Sequence, residues 1–130
     1  MSATPRYSLA EAQALLADAR RHAVAAGRII DQLRLLQLEV EDGSSDPDVL
    51  VRSNELELAL DDAFRWFEAH GVQVKHLDPV LLDFPSRAIQ DGVAVDVLLC
   101  WREDEQAIAY YHGPQDGYRG RVPVAMLDEV

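Results

Sequence analysis

Residues 8–41 read SLAEAQALLADARRHAVAAGRIIDQLRLLQLEVE, and this stretch decides the fold. Apolar side chains recur in it at alternating steps of three and four, with one polar break, which is the heptad spacing of a helix that packs against another helix. Ser8 and Glu11 form the sequence of a capping box, so the helix is predicted to begin there. About 33 helical residues span roughly 50 Å, and such a helix needs a neighbour along its length. The seam consists of Leu9, Ala12, Leu16, Ala19, Ala23, Ala26, Ile30, Leu33, Gln37 and Val40.

The segment after this helix predicts its partner. Gly43 fits the residue that follows a helix C-terminus, and Asp46 with Pro47 fits the N-cap and first turn of a new helix. Apolar residues then recur at helical spacing up to Gly71. We therefore expect a short tail over residues 1–6 and an antiparallel hairpin of helices over about residues 8–41 and 47–70.

A second apolar column on the first helix predicts contact with a further surface. Leu15, Ile29 and Leu36 lie beside the seam and widen the apolar face beyond what one partner helix covers. The second helix is also about ten residues shorter than the first, by the spacing of the same pattern. We expect these three residues to form the subunit contact of a homo-oligomer, with a dimer as the simplest case.

After Gly71 the hydrophobic pattern changes to a period of two, which is typical of β-strands. Asp91-Gly92 is a hairpin signal, and folding about it sets Arg87 opposite Asp96 as a favourable cross-strand pair. The predicted pairs that share the apolar face are Gln90 with Val93, Ala88 with Val95, Ser86 with Val97, Phe84 with Leu99 and Leu82 with Trp101.

These patterns predict an α+β fold, a long antiparallel helical hairpin followed by a small antiparallel β-sheet of three to four strands. The hairpin is assigned to residues 1–71 and the sheet to residues 72–130. A third strand is expected over residues 107–112, with a short edge strand over residues 122–124. By alternation, the third strand should place Tyr110 and His112 on the apolar face.

Six short motifs occur in order along the chain. They are Tyr7-Ser-Leu-Ala-Glu-Ala12, Gly71-Val-Gln-Val-Lys-His-Leu-Asp78, Leu82-Asp-Phe-Pro85, Leu99-Cys-Trp-Arg102, Tyr110-Tyr-His112 and Gly117-Tyr-Arg-Gly-Arg121. In these motifs the chain resembles the bacterial domain of unknown function family 2203 over most of its length. It departs from the family pattern at Tyr111, where Trp is usual, and at the insertion-like Ala88-Ile-Gln90. The resemblance implies a small, soluble bacterial protein and brings no biochemical role with it.

The charge balance argues against several kinds of partner. Twelve Lys and Arg stand against 23 Asp and Glu, and the net charge of −11 disfavours a protein that follows nucleic-acid phosphates or binds an anionic membrane. No apolar run approaches the ~20 residues of a membrane span, and residues 1–5 lack the features of a signal peptide. The lone Cys100 suits a reducing compartment. We expect a cytoplasmic protein without membrane or nucleic-acid partners, and an unidentified protein partner remains open.

Asp83, His112 and Asp116 are the candidates for a divalent metal, because carboxylates and imidazole are ordinary metal ligands. The register sets Asp83 opposite Cys100, whereas the predicted alternation puts His112 on the other face. A histidine that donates to a backbone carbonyl is the more common outcome, so we expect no cofactor, with a metal here as the exception. Cys100, in an apolar strand, is expected to be a buried, inert thiol.

A cluster of arginine and glycine predicts a second kind of site. Arg119, Arg121 and Tyr118, joined by Arg87, could hold a carboxylate or phosphate through bidentate hydrogen bonds. The alternative is that the arginines form structural ion pairs with nearby acids such as Asp83, Asp96 or Asp116, which is the more common arrangement.

The chain has no phosphate-binding glycine loop, no Cys-x-x-Cys, no His-Glu-x-x-His and no serine elbow, which favours a non-enzymatic role. The leading hypothesis is a self-associating interaction or assembly protein. The alternative is a domain that binds a small anion or a divalent metal through the sheet motifs, or a hydrolase that uses such a site.

Overall fold

The computed structural model describes residues 5–43 and 46–130, so residues 1–4 of the expected tail lie outside the described part. Helix α1 spans Leu9–Glu41 and helix α2 spans Pro47–His70. The Ser8 hydroxyl accepts a hydrogen bond from the Glu11 amide at 3.1 Å, and the Glu11 carboxylate accepts one from the Ser8 amide at 2.9 Å. The predicted capping box is therefore confirmed.

The ends of the hairpin also follow the turn residues of the sequence. Gly43 has a φ of 92°, as expected for the residue after a helix C-terminus. Asp46 caps α2 by accepting a hydrogen bond from the Asp48 amide, and Pro47 is its first residue. Gly71 ends α2 in the left-handed conformation, with a φ of 66°.

The sheet is antiparallel with the strands in sequence order, and it has five strands rather than three to four. The expected third strand is shorter than predicted, because the Ile108 amide donates to the Gln13 side chain of α1 instead of pairing in the sheet. The strands are β1 (Gln73–Leu77), β2 (Val80–Gln90), β3 (Val93–Arg102), β4 (Tyr110–His112) and β5 (Val122–Pro123). Two 3-10 turns lie at Tyr118–Gly120 and Val124–Met126.

The predicted register of β2 and β3 is confirmed at each of the five predicted pairs. Asp91 and Gly92 both have positive φ, at 53° and 76°, as a tight hairpin turn requires. Arg87 faces Asp96 at 3.7 Å, as expected. Asp96 also accepts a hydrogen bond from Arg6 at 2.9 Å, so this carboxylate serves two cations.

One face of the sheet, which we call the core face, packs on α1. It contributes the large side chains Leu82, Phe84, Leu99, Trp101 and Tyr111, each less than one-tenth exposed. The small side chains of α1, Ala12, Ala19 and Ala23, are fully buried against them and allow a close approach.

The expected orientation of the third strand is wrong. Tyr111 pairs with Leu99 and lies on the core face, whereas His112 pairs with Leu98. His112 and Tyr110 therefore lie on the opposite face, which we call the outer face, together with Asp83. The physical reason is that the large Tyr111 ring fills the core beside Leu99, and strand alternation then turns its neighbours outward.

Neither helix of the described residues is long and apolar enough to cross a membrane.

Candidate functional site

The outer face of the sheet carries three buried side chains that can bind a metal. Asp83 on β2, Cys100 on β3 and His112 on β4 are 2%, 1% and 3% exposed. Strand pairing places Asp83 directly opposite Cys100, and β4 lies beside β3. The segment after β4 contributes Pro114, Gly117 and Tyr118 to the cavity beside them. We call Asp83, Cys100 and His112 the outer-face cluster.

Hydrogen bonds fix the orientation of the His112 ring. Its Nδ1 lies 2.8 Å from the carbonyl oxygen of Gly113, which can only accept, so Nδ1 carries a proton. Its Nε2 lies 3.2 Å from each carboxylate oxygen of Asp83. The expected bond from a strand-end histidine to a backbone carbonyl is therefore present, and it directs the other ring nitrogen into the outer-face cluster.

Cys100 is buried as predicted, and it is not placed as a nucleophile. Burial raises the pKa of its thiol to about 12, and the neighbouring Asp83 carboxylate, which also accepts its hydrogen bond, adds to the increase. A cysteine nucleophile needs an imidazole that takes its proton. Here the thiol donates its hydrogen bond to the Asp83 carboxylate, so the arrangement does not activate Cys100.

The same three side chains match the ligand set of a zinc site. Their donor atoms lie within 4.8 Å of one another. Zinc bonds of about 2.0–2.3 Å separate neighbouring ligands by roughly 3.5 Å in a tetrahedron, so the described positions need to close by about 1.3 Å at most. A metal-binding histidine commonly donates its other nitrogen to a carbonyl, as His112 does here.

Asp116, the third predicted metal ligand, lies outside the cluster. It is exposed, and its carboxylate accepts a hydrogen bond from the Gly113 amide at 3.1 Å. Cys100 takes the place that the sequence reasoning gave to Asp116. The predicted register already set Asp83 opposite Cys100. Because His112 was predicted on the opposite face, the sequence did not indicate that these three residues form one cluster.

Of the four predicted anion-binding residues, the structure brings Arg121 and Tyr118 together and places Arg87 and Arg119 elsewhere. Arg121 Nη2 lies 2.6 Å from Glu105 Oε1, and its guanidinium stacks on the rings of Tyr110 and Tyr118 at 4.1 and 4.6 Å. The side chains of Arg121 and Glu105 are only 10% and 16% exposed. The acid that pairs with Arg121 is therefore Glu105 and not the predicted Asp83, Asp96 or Asp116.

The other two arginines lie elsewhere. Arg87 pairs with Asp96 on the exposed part of the β2–β3 hairpin, and Arg119 is exposed on the turn Tyr118–Gly120. Tyr118 is 41% exposed, and its hydroxyl accepts a hydrogen bond from Arg102 at 3.1 Å. The largely buried ion pair with Glu105 thus favours a structural role for Arg121.

The three residues predicted to form the subunit contact differ in exposure. Leu15 is partly buried and packs against the core, and Ile29 is partly buried. Leu36 is 6% exposed within the single chain, which leaves little of it for another subunit.

Residues 6–124 match the protein family described as "Uncharacterized conserved protein (DUF2203)". No curated protein and no solved structure gives a match to the chain.

Proposed function

The chain belongs to the DUF2203 family, and we propose that it binds one divalent transition metal through Asp83, Cys100 and His112. Zinc is the first choice, because thiolate, imidazole and carboxylate together are its ordinary ligands. A thiolate ligand stays reduced in the cytoplasm, where we place the protein.

The observation that carries this proposal is the convergence of three buried donors with one ring nitrogen already oriented. Buried polar side chains are costly unless they are fully bonded. A zinc ion with one thiolate and one carboxylate forms a neutral set, so it compensates the buried charge of Asp83 and that of the thiolate it creates. The metal also holds the thiol deprotonated, which burial alone opposes.

Three protein ligands leave a fourth position free, as in catalytic zinc sites. A cavity of about 210 Å³ adjoins the cluster and shares all three residues as part of its lining. This supports a site that takes a water molecule or a small ligand on the metal, and it keeps the hydrolase alternative open.

The test is the metal content of the protein purified without chelators and then reconstituted with zinc. We expect one zinc per chain, and a charge-transfer band from thiolate to metal when cobalt replaces zinc. Cys100→Ser should lose this band, and Asp83→Asn and His112→Gln should lower the metal content.

Asp116→Asn is the matched control, because this carboxylate was a predicted ligand but lies outside the cluster. It should retain the metal. A folded wild-type chain that stays free of zinc and cobalt after reconstitution would show that the outer-face cluster is a structural polar cluster.

Self-association is the second function we propose, with a second copy of the chain as the partner. Six aliphatic side chains near the loop end of the hairpin are 52–68% exposed. We call them the tip patch, and they are Leu35, Leu38 and Val40 on α1 and Leu50, Val51 and Leu58 on α2. The salt bridge between Glu39 and Arg52, at 3.5 Å, places these parts of the two helices side by side.

The magnitude of this contact predicts a dimer of modest affinity. Two copies bring twelve such side chains to the contact, and complete burial of their exposed portions would contribute roughly 11–22 kcal/mol. Association costs about 4–15 kcal/mol in lost freedom, and incomplete burial reduces what remains. The net charge of −11 on each copy adds repulsion, and added salt should therefore strengthen the dimer.

Sedimentation velocity over a range of protein and salt concentrations tests the dimer. Leu35→Glu with Leu58→Glu should give a folded monomer, whereas Val93→Glu, an exposed valine at the β2–β3 turn, should not change the mass. A wild-type protein that remains monomeric at high concentration and high salt would refute this second proposal.

A further inference from the structure

We infer that the fourth position of the metal is completed by a small organic anion, a carboxylate or a phosphate monoester that carries an apolar group. This inference rests on the proposed metal site. It adds the chemical class of the ligand, which follows from the groups that line the approach to the outer-face cluster.

Two adjoining cavities form this approach. The inner one, of about 210 Å³, borders Asp83, Cys100 and His112. The outer one, of about 280 Å³, is bordered by Pro79 and Arg102. The residues that line both cavities are Lys75, Leu81 and Tyr118. The inner volume equals that of about seven water molecules, so it admits a functional group and a small part of a molecule.

Lys75 is the cation at the junction of the two cavities. It is the only lysine in the chain, and it follows Val74, which pairs with Leu82 on the core face, so strand alternation turns Lys75 to the outer face. His76 pairs with Leu81, so Lys75 is also the extra residue of a β-bulge in β1. Bulges are frequent beside active sites.

Lys75 forms no salt bridge with another described residue. Among residues 5–43 and 46–130, no carboxylate oxygen lies within 4.0 Å of its ammonium nitrogen. In contrast, the neighbouring Arg102 pairs with Asp104 at 3.2 Å and donates to Tyr118. The zinc with its thiolate and carboxylate is neutral, so Lys75 leaves the site with one positive charge. A carboxylate balances it with its single negative charge, and a phosphate monoester, with a charge of about −1.5 to −2 near pH 7, more than balances it.

The walls between the two ends favour an apolar ligand body. Leu81, Pro79 and the exposed ring of Tyr118 line the outer cavity, and they offer aliphatic and aromatic surface. An anion at the metal and Lys75 would extend its apolar part along these side chains. Hydroxide or acetate would occupy only part of the inner cavity and leave this surface unused.

The experiment measures binding to the zinc-loaded protein by calorimetry and to the cobalt-loaded protein by its visible spectrum. The probes are benzoate, benzamide, acetate and phenyl phosphate. Benzoate and phenyl phosphate should each bind at least about 10-fold more tightly than benzamide, because benzamide lacks the negative charge. Benzoate should also bind more tightly than acetate, because acetate lacks the ring. Binding should change the cobalt spectrum, since the anion reaches the metal.

Lys75→Gln should lower the affinity for benzoate about 10-fold and leave the metal content unchanged. Lys75→Arg should retain most of the affinity for benzoate, because it keeps the positive charge. Arg87→Gln, which removes a cation paired with the distant Asp96, should have no effect. A protein that holds zinc but binds benzoate no better than benzamide, or equally well without Lys75, would overturn this inference and leave the metal site intact. A wild-type chain without metal would overturn both.

Discussion

Replacing Arg121 by alanine tests whether the arginine cluster is structural or free to bind an anion. The change removes the partner of Glu105 and the cation that stacks between Tyr110 and Tyr118. The Glu105 carboxylate would stay largely buried, although it would still accept a hydrogen bond from the Arg102 amide at 2.7 Å. A structural network should therefore lose stability, whereas a binding site should not.

The magnitude follows from the burial of the pair. Breaking a fully buried ion pair costs about 3–5 kcal/mol, and an exposed pair contributes about 0–1 kcal/mol. This pair is 10% and 16% exposed, which places it near the buried limit. The remaining bond to Glu105 lowers the cost, and the lost stacking adds about 0.5–1 kcal/mol per ring. We expect a loss of about 3 kcal/mol, or roughly 10 °C in Tm.

Urea denaturation of four proteins measures this loss: the wild type, Arg121→Ala, Arg121→Lys and Arg119→Ala. Arg121→Lys keeps the charge but loses the planar fork, so its stability should be intermediate. Arg119→Ala is the matched control, because Arg119 is an exposed arginine two residues away, and it should stay within about 0.5 kcal/mol of wild type. If Arg121→Ala is as stable as Arg119→Ala, the ion pair is not needed for stability, and Arg121 is again a candidate for binding an anion.

Three further predictions concern other parts of the molecule. The Trp66 ring stacks with the rings of His22 and His70, whose centroids lie 5.0 and 4.1 Å away. Burial, and to a lesser extent the charge of Arg21, holds the pKa of His22 below its ordinary 6.5. The folded form therefore binds fewer protons than the unfolded form, so Tm should fall as the pH drops through 6.5, and less steeply in His22→Phe. In metal-free protein, Cys100 should react with iodoacetamide at least about 100-fold more slowly in the folded chain than in denaturant, because the thiol is buried with a pKa of about 12. Mass spectrometry measures the two rates. Leu36→Glu should destabilise the chain by more than about 2 kcal/mol, whereas Leu35→Glu, at a position 63% exposed, should change the free energy of unfolding by about 0.5 kcal/mol or less; equal effects in urea denaturation would show that Leu36 is not core.

Much of the fold could be predicted because the deciding signals are local. The capping box at Ser8, the turn residues around Pro47 and the Asp91-Gly92 turn each act on a few neighbouring residues. The register of β2 and β3 followed from one turn and the alternation of side chains, both of which are properties of the sequence.

The site was harder to predict, because it depends on how distant segments pair. Asp83 and Cys100 could be placed opposite each other from the hairpin, but His112 belongs to a strand whose register no tight turn fixes. The Ile108 amide donates a hydrogen bond to the Gln13 side chain of α1, and Tyr111 fills the core, so β4 pairs in the sheet with His112 on the outer face. The local sequence pattern does not indicate these long-range contacts.

The sequence by itself determined the helical hairpin, the turns and the central β-hairpin, since capping, glycine conformation and hydrophobic periodicity are energies of neighbouring residues. The tertiary structure alone decided which face His112 occupies, that Glu105 rather than another acid pairs with Arg121, and that Lys75 lines the cavity beside the outer-face cluster. These contacts join residues far apart in the chain, and their energies arise when the core closes and the strands align.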